Sequence, residues 1–148
     1  MKNLVLPLLL WFLLSVADAA TYYVSTSGND ANAGSSDSPW RTIQKAADTM
    51  TAGDTSIVLV GNYNEDVSTA ASGTVGNYIT FRGSNAFSGA FYLAHAYNRI
   101  EGFTLTNFHN VDTPAAAILI GPNGHFSQIV SNTIGPTPTD VRGLNSKY

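Results

Sequence analysis

From Thr55 onward the chain is a succession of short apolar runs, each closed by turn residues. Ser56–Val60 (SIVLV) gives way to Gly61-Asn62, and Tyr78–Gly83 (YITFRG) to Ser84-Asn85. Arg99–Asn107 (RIEGFTLTN) bends at Gly102, Ala116–Gly121 (AAILIG) meets Pro122-Asn123-Gly124, and Ser127–Gly135 (SQIVSNTIG) runs into Pro136. Each run has the length of a strand, not of a helix. Ile79 with Phe81, and Phe103 with Leu105, alternate with polar neighbours, which places the apolar side chains on one face and Thr80, Arg82, Thr104 and Thr106 on the other. The interval from Ile79 to Ile100 to Ile129 falls in the range of roughly 20 to 50 residues that marks solenoids and related arrays.

Two all-β architectures fit short strands at regular spacing. An antiparallel sandwich would carry two-residue hairpin turns of the Asn-Gly or Asp-Gly kind. Asn123-Gly124 is the single such dipeptide in the chain. A parallel β-helix, in which each strand pairs with the coil above it, needs none. Asn107 and Asn132 each stand near the end of a run. They read either as rungs of a stacked amide ladder or as two ordinary turn asparagines.

The coil reading also accounts for the one amphipathic helix the sequence offers, ahead of the strands. Ser38 is the expected N-cap with Pro39 as first helical residue, Thr42 the alternative start. Ile43, Ala46, Ala47 and Met50 form an apolar stripe, Arg41, Gln44, Lys45 and Asp48 take the wet side, and Gly53 is expected to end the helix. A stack of coils exposes apolar core and unpaired backbone at its ends; this helix is expected to cover the N-terminal one.

The first residues belong to another function. Lys2 precedes an apolar run, Leu4–Val16, shorter than the roughly 20 residues of a membrane span. Ala17-Asp18-Ala19 then places small residues at the two positions a leader peptidase reads. The pattern is that of a secretory signal cleaved after Ala19, giving an extracellular or periplasmic chain with no membrane attachment once the signal is removed. The expected organisation is residues 1–19 as signal peptide, 20–54 as N-terminal strand, loop and capping helix, and 55–148 as the first coils. The segment Gly135–Tyr148 offers no amphipathic helix to close the stack, so the chain is expected to be the first part of a longer, monomeric protein. The sequence carries a net charge of −3 and no cysteine. It has no basic stripe of the kind nucleic-acid surfaces need, and without disulfides the fold rests on its core and its hydrogen-bond ladders.

The stretch Tyr22–Glu65 (YYVSTSGNDANAGSSDSPWRTIQKAADTMTAGDTSIVLVGNYNE) resembles the N-terminal region of secreted right-handed parallel β-helix proteins of the pectate lyase-like superfamily. Ala71–Gly83 (ASGTVGNYITFRG) and Asn98–Asn107 (NRIEGFTLTN) are similar to later coils of such proteins. Ser56 departs from the pattern, standing where an apolar residue is usual; a hydroxyl turned to the core needs a partner. The resemblance implies a polysaccharide, most often acidic, as substrate, and β-elimination as the leading activity, often with Ca²⁺. Such a lyase needs a base, usually Lys or Arg, and positive charge or metal to stabilise the carbanion-like intermediate. A glycoside hydrolase on the same fold and a non-catalytic carbohydrate-binding or surface module are the alternatives.

Arg82, outward on its strand beside Gly83, is the candidate contact for sugar acids. Arg99 and Glu101, flanking Ile100, are candidates for the same surface or for pairing with neighbouring coils. Arg41 and Lys45 fall on the helix and read as solvated charges, and Arg142 and Lys147 stand close to Tyr148. Asp30, Asn32 and Asp37, spaced around Gly34, have the oxygen ligands of a flexible Ca²⁺ loop, and equally of Asx-rich turns. Glu65-Asp66 reads as a strand-end turn, and His95, His109 and His125 share no metal-ligand spacing. Most aromatic residues, among them Tyr78, Tyr97, Phe103, Phe108 and Phe126, are expected in the core, with Phe87, Phe91 and Tyr92 in an irregular segment and open to solvent.

Overall fold

The computed structural model describes residues 18–84, 89–105 and 117–135, together with the backbone of 86–87. Residues 1–17, which hold most of the expected signal peptide, lie outside the described residues, as do Asn107, Phe108, His109, Arg142, Lys147, the rest of 136–148 and the side chain of Phe87. In chain order the elements are β1 (Thr21–Val24), α1 (Ile43–Thr49), β2 (Thr55–Val58), β3 (Val67–Ser68), β4 (Ile79–Gly83), β5 (Ala86–Phe87), β6 (Phe91–Leu93), β7 (Asn98–Glu101), β8 (Thr104–Leu105), β9 (Ile118–Ile120), β10 (Gln128–Val130) and β11 (Thr133–Ile134).

All ladders between these strands are parallel, which rules out the sandwich. They form three stacks: β1-β2-β4-β7-β10, β5-β8-β11 and β3-β6-β9. The chain visits the three stacks in turn and returns to each one strand further along, so the architecture is a parallel β-helix. One inward row of the five-stranded sheet runs Tyr22, Ser56, Phe81, Ile100, Ile129, and an outward row runs Tyr23, Ile57, Arg82, Glu101, Val130. Phe81 and Phe103 pack edge-to-face on Phe91 at centroid distances of 5.7 and 5.2 Å, and all three are fully buried. Burying a side chain of that size contributes about 1.5–3 kcal/mol. The corner between β7 and β8 demands glycine: Gly102 has φ 72°, and a Cβ there would stand 2.3 Å from the carbonyl oxygen of Gly83.

Ser56 does face the core. It is fully buried, and its hydroxyl finds no hydrogen-bond partner. At the other end of the same row, Ile129, with Ile120 and Ile134 on the neighbouring sheets, is 44, 50 and 57% exposed respectively, although the register partners Ile100, Leu93 and Leu105 are buried. Among the described residues the β9–β11 end of the stack therefore exposes inward side chains.

The helix starts at the alternative site. Thr42 is the N-cap, its hydroxyl accepting from the Lys45 N–H at 3.1 Å, while Ser38 is held in a tight turn with Ser35. Met50, already extended, ends it; Gly53, with φ 97°, instead turns the chain into β2. Ile43, Ala46 and Ala47 are buried, and the helix lies against β1 and β3, the outermost strands of two stacks.

Candidate functional site

The outward face of the five-stranded sheet gathers the three polar candidates, Arg82 and Glu101 in one row and Arg99 in the next. Register sets Arg82 beside Glu101 across β4 and β7, and Arg99 beside Gln128 across β7 and β10. Both guanidinium groups turn to the same carboxylate: Arg82 Nε donates to Glu101 Oε1, and Arg99 Nε to Oε2 at 2.5 Å. Arg99 Nη1 reaches Gln128 Oε1 at 3.2 Å. Burial would raise the Glu101 pKa, but hydrogen bonds and charge from Arg82 and Arg99 outweigh it and hold the carboxyl below its ordinary range. Two cations share one anion, so the cluster carries a net charge of +1 on a chain whose total is −3. Arg82 remains mostly open to solvent, with 57% of its side chain exposed.

At the start of the same strands lies a cleft of about 250 Å³ lined by Ala19, Gly53, Gly76, Asn77, Tyr78, Thr80 and Arg99. Thr80 is more than nine-tenths buried, and no hydrogen bond engages its hydroxyl. Gly76 in its lining has left-handed backbone, φ 78°. Beside the cleft, Tyr78, Tyr97 and Phe126 stand one above the other in three successive coils. Tyr78 meets Tyr97 edge-on at 5.8 Å, and Tyr97 stacks on Phe126 at 5.0 Å. Tyr97 and Phe126 both have left-handed backbone, φ 54° and 59°. Such strain costs about 1–3 kcal/mol per residue and persists only where its surroundings impose it. Here Asn98 helps: fully buried, it donates from Nδ2 to the carbonyls of His95 at 2.9 Å and of Ala71 and Ala96 at 3.2 Å, fastening the turn that presents Tyr97.

This arrangement reverses two expectations. Phe91 is fully buried rather than exposed, and Phe126 is 64% exposed rather than in the core. Tyr92 is exposed as expected. The stack was not readable because its members lie ahead of their strands, Tyr78 and Tyr97 by one residue and Phe126 by two, where alternation gives no signal of burial. The sequence signal for Asn98 was a polar residue opposite Ile79 in the inward register.

The loop holding Asp30, Asn32 and Asp37 uses its polar groups on itself. Asp30 Oδ1 accepts from the N–H groups of Arg41 and Thr42 at 2.8 and 2.9 Å, and Oδ2 from the Thr42 hydroxyl at 2.8 Å. Burial opposes these bonds, but together with Lys45 they hold the Asp30 pKa below its ordinary value. Asn32 donates its amide to the Pro39 carbonyl at 3.0 Å, and Asp37 is exposed at the surface. Both Asp30 oxygens and the Asn32 amide nitrogen are thus engaged inside the loop. Among the described residues no group of three or more His, Asp or Glu side chains is placed to hold a metal.

Glu65, read as part of a turn, reaches back to the helix. Its two oxygens accept from the N–H groups of Ile43 and Gln44 at 2.9 and 3.1 Å. Burial raises its pKa, and Asp30 adds to the effect against those two bonds. Tyr63 beside it is buried, donates to the Leu59 carbonyl at 2.9 Å and has its pKa pushed up to about 12, by burial first and Glu65 second. Lys45 lies over the Trp40 ring at 5.9 Å.

Residues 26–94 match a family described as "Protein of unknown function (DUF1565)". The uncharacterized protein YwoF of Bacillus subtilis (strain 168) is 42% identical over 60 residues, which are 40% of this chain and 13% of that protein. Among solved structures, a rhamnogalacturonan lyase superposes on 80% of this chain and 38% of its own with a TM-score of 0.63 at 19% identity. The likeness shows a parallel β-helix fold. The chain thus spans well under half of either protein.

Proposed function

We propose that this chain forms the N-terminal coils of an exported, carbohydrate-active β-helix protein that acts on an acidic polysaccharide, as a lyase in its full-length form. What carries the reading is the outward cluster Arg82–Glu101–Arg99 beside the aromatic-edged cleft. It combines positive charge, hydroxyl and amide groups, and ring faces on a rigid sheet, the complement of a polymer made of carboxylated sugar rings. The role of these coils is to bind. Arg82 and Arg99 are both turned to Glu101, and the base is assigned to other coils of the full-length protein. Helix α1 serves as the cover of the N-terminal end.

A non-catalytic binding module is the second reading. One observation favours it: both outward arginines already have an anionic partner. The test is retention on gels containing polygalacturonate, rhamnogalacturonan or alginate, compared with neutral dextran. Expected is retardation by the acidic polymers alone, weakened by salt and lost when Arg82→Gln and Arg99→Gln are combined in a folded protein. Equal behaviour on acidic and neutral gels would sink the proposal. Ultraviolet detection of unsaturated uronate products from the full-length protein separates lyase from binder.

A further inference from the structure

Asp54 is 4% exposed. Its Oδ1 accepts from the backbone N–H of Ala20 at 2.8 Å, and its Oδ2 from the N–H and hydroxyl of Thr51 at 2.8 and 3.0 Å. No described Lys, Arg or His forms an ion pair with it; the two ion pairs of the described residues both belong to Glu101. A buried carboxylate held by neutral donors alone keeps much of its desolvation cost. Ala20 is itself fixed, its carbonyl accepting from the Thr55 N–H at 2.9 Å, and Thr21 begins the β1–β2 register opposite Thr55. The peptide bond just upstream of this anchored nitrogen is Ala19–Ala20, which follows the small-residue pattern of Ala17-Asp18-Ala19.

We propose that hydrolysis of the Ala19–Ala20 bond supplies the cation Asp54 lacks. Water adds across the amide. Ala19 leaves with the leader as a carboxylate, and Ala20 keeps its nitrogen as an amine that binds a proton near neutral pH, its ordinary pKa being about 7.7–8.0. The ammonium takes the place of the amide N–H against Oδ1, and a neutral hydrogen bond becomes a buried ion pair. Leader removal and locking of the first coil are then one event. Ala19 lines the cleft, so its departure also removes part of one wall. The titratable groups across that cleft are Arg99, whose charge Glu101 shares, and Tyr78. The inference rests on the export part of the proposed function and not on what the sheet binds.

An amine paired in the folded state has its pKa raised. Its stabilisation is full below the unfolded value and disappears as pH rises through the folded one. The test compares the processed chain Ala20–Tyr148 bearing a free amine with the same chain acetylated at Ala20, each also as Asp54→Asn. Expected is a higher melting temperature for the free amine at neutral pH, convergence with the acetylated chain at strongly alkaline pH, and no such advantage in Asp54→Asn. If the variant does not fold, NMR titration of the Ala20 amine in the unaltered chain decides: a pKa about one unit above the ordinary value, a tenfold gain in proton affinity, supports the pair, and an ordinary value overturns it. Mass spectrometry of the chain exported with its own leader locates the cut; a start other than Ala20 overturns the assignment of the bond, whatever the gels show of polysaccharide binding.

Discussion

Replacing Glu101 with Gln separates what the outward cluster does for the fold from what it does for a ligand. Glu101 is the shared acceptor of Arg82 and Arg99, and its side chain is 12% exposed, against 57 and 36% for the two arginines. Because both arginines reach solvent, each pair is discounted to about 0.2–1 kcal/mol. A Gln carbonyl recovers part of one hydrogen bond and none of the charge, while the arginines are left to repel each other. The expected loss is about 1 kcal/mol, roughly 3–5 °C in melting temperature for a domain of this size. Binding should move the other way. The cluster goes from one net positive charge to two and at least one Nε donor becomes free, so retention on polygalacturonate should rise several-fold at low salt and fall more steeply as salt is added. Thermal unfolding and affinity electrophoresis of the same preparation read both effects. Weaker retention with an intact fold would make Glu101 a contact of the ligand. Unchanged stability and unchanged retention would show that the cluster takes part in neither, and the site would have to be sought elsewhere.

Ser56→Ala removes a fully buried hydroxyl with no partner and should stabilise the chain by about 1 kcal/mol; a urea midpoint that falls instead would mean that water or a neighbour satisfies the hydroxyl. Asp30, whose pKa is held below its ordinary value, contributes stability that is complete above that ordinary value and is lost as pH falls through the folded one. Asp30→Asn should therefore lower stability at neutral pH and flatten its decline in acid, measured as urea midpoints across a pH series; an unchanged acid limb would place the loss with another carboxylate.

The strands were legible because periodicity of two and turn residues are local properties. Ile79, Phe81, Ile100, Phe103 and Leu105 all point inward as their alternation says they must. Parallel pairing followed from the scarcity of hairpin turns, a weaker signal that the register confirms. The site was half legible: the residue types of Arg82, Arg99 and Glu101 were evident, but their convergence required the β4–β7 register, which skips β5 and β6 in the chain. Phe126 was misplaced because a left-handed residue ahead of a strand breaks the alternation on which burial was judged. Ile120, Ile129 and Ile134 show the converse: an inward position guarantees burial only where a further layer lies upon it.

The acidic residues bear on the choice among functions more than their number suggests. A solenoid of short strands has many corners, and each corner leaves backbone N–H groups outside the ladders. Asp30 takes those of Arg41 and Thr42, Glu65 those of Ile43 and Gln44, Asp54 those of Ala20 and Thr51, and Asp66 that of Ala90 at 2.8 Å. A hydrolase needs two carboxylates facing one sugar across about 5–10 Å, and these four are already committed to holding turns. Glu101 is the described carboxylate that stands on a sheet face among cations. What a polyanion meets on that face is the local excess of one positive charge, held in place by β4 and β7, while the negative charge of the chain is spent at its corners. On the proposed reading, local placement, not the net charge of −3, is what would let an acidic chain dock an acidic polymer.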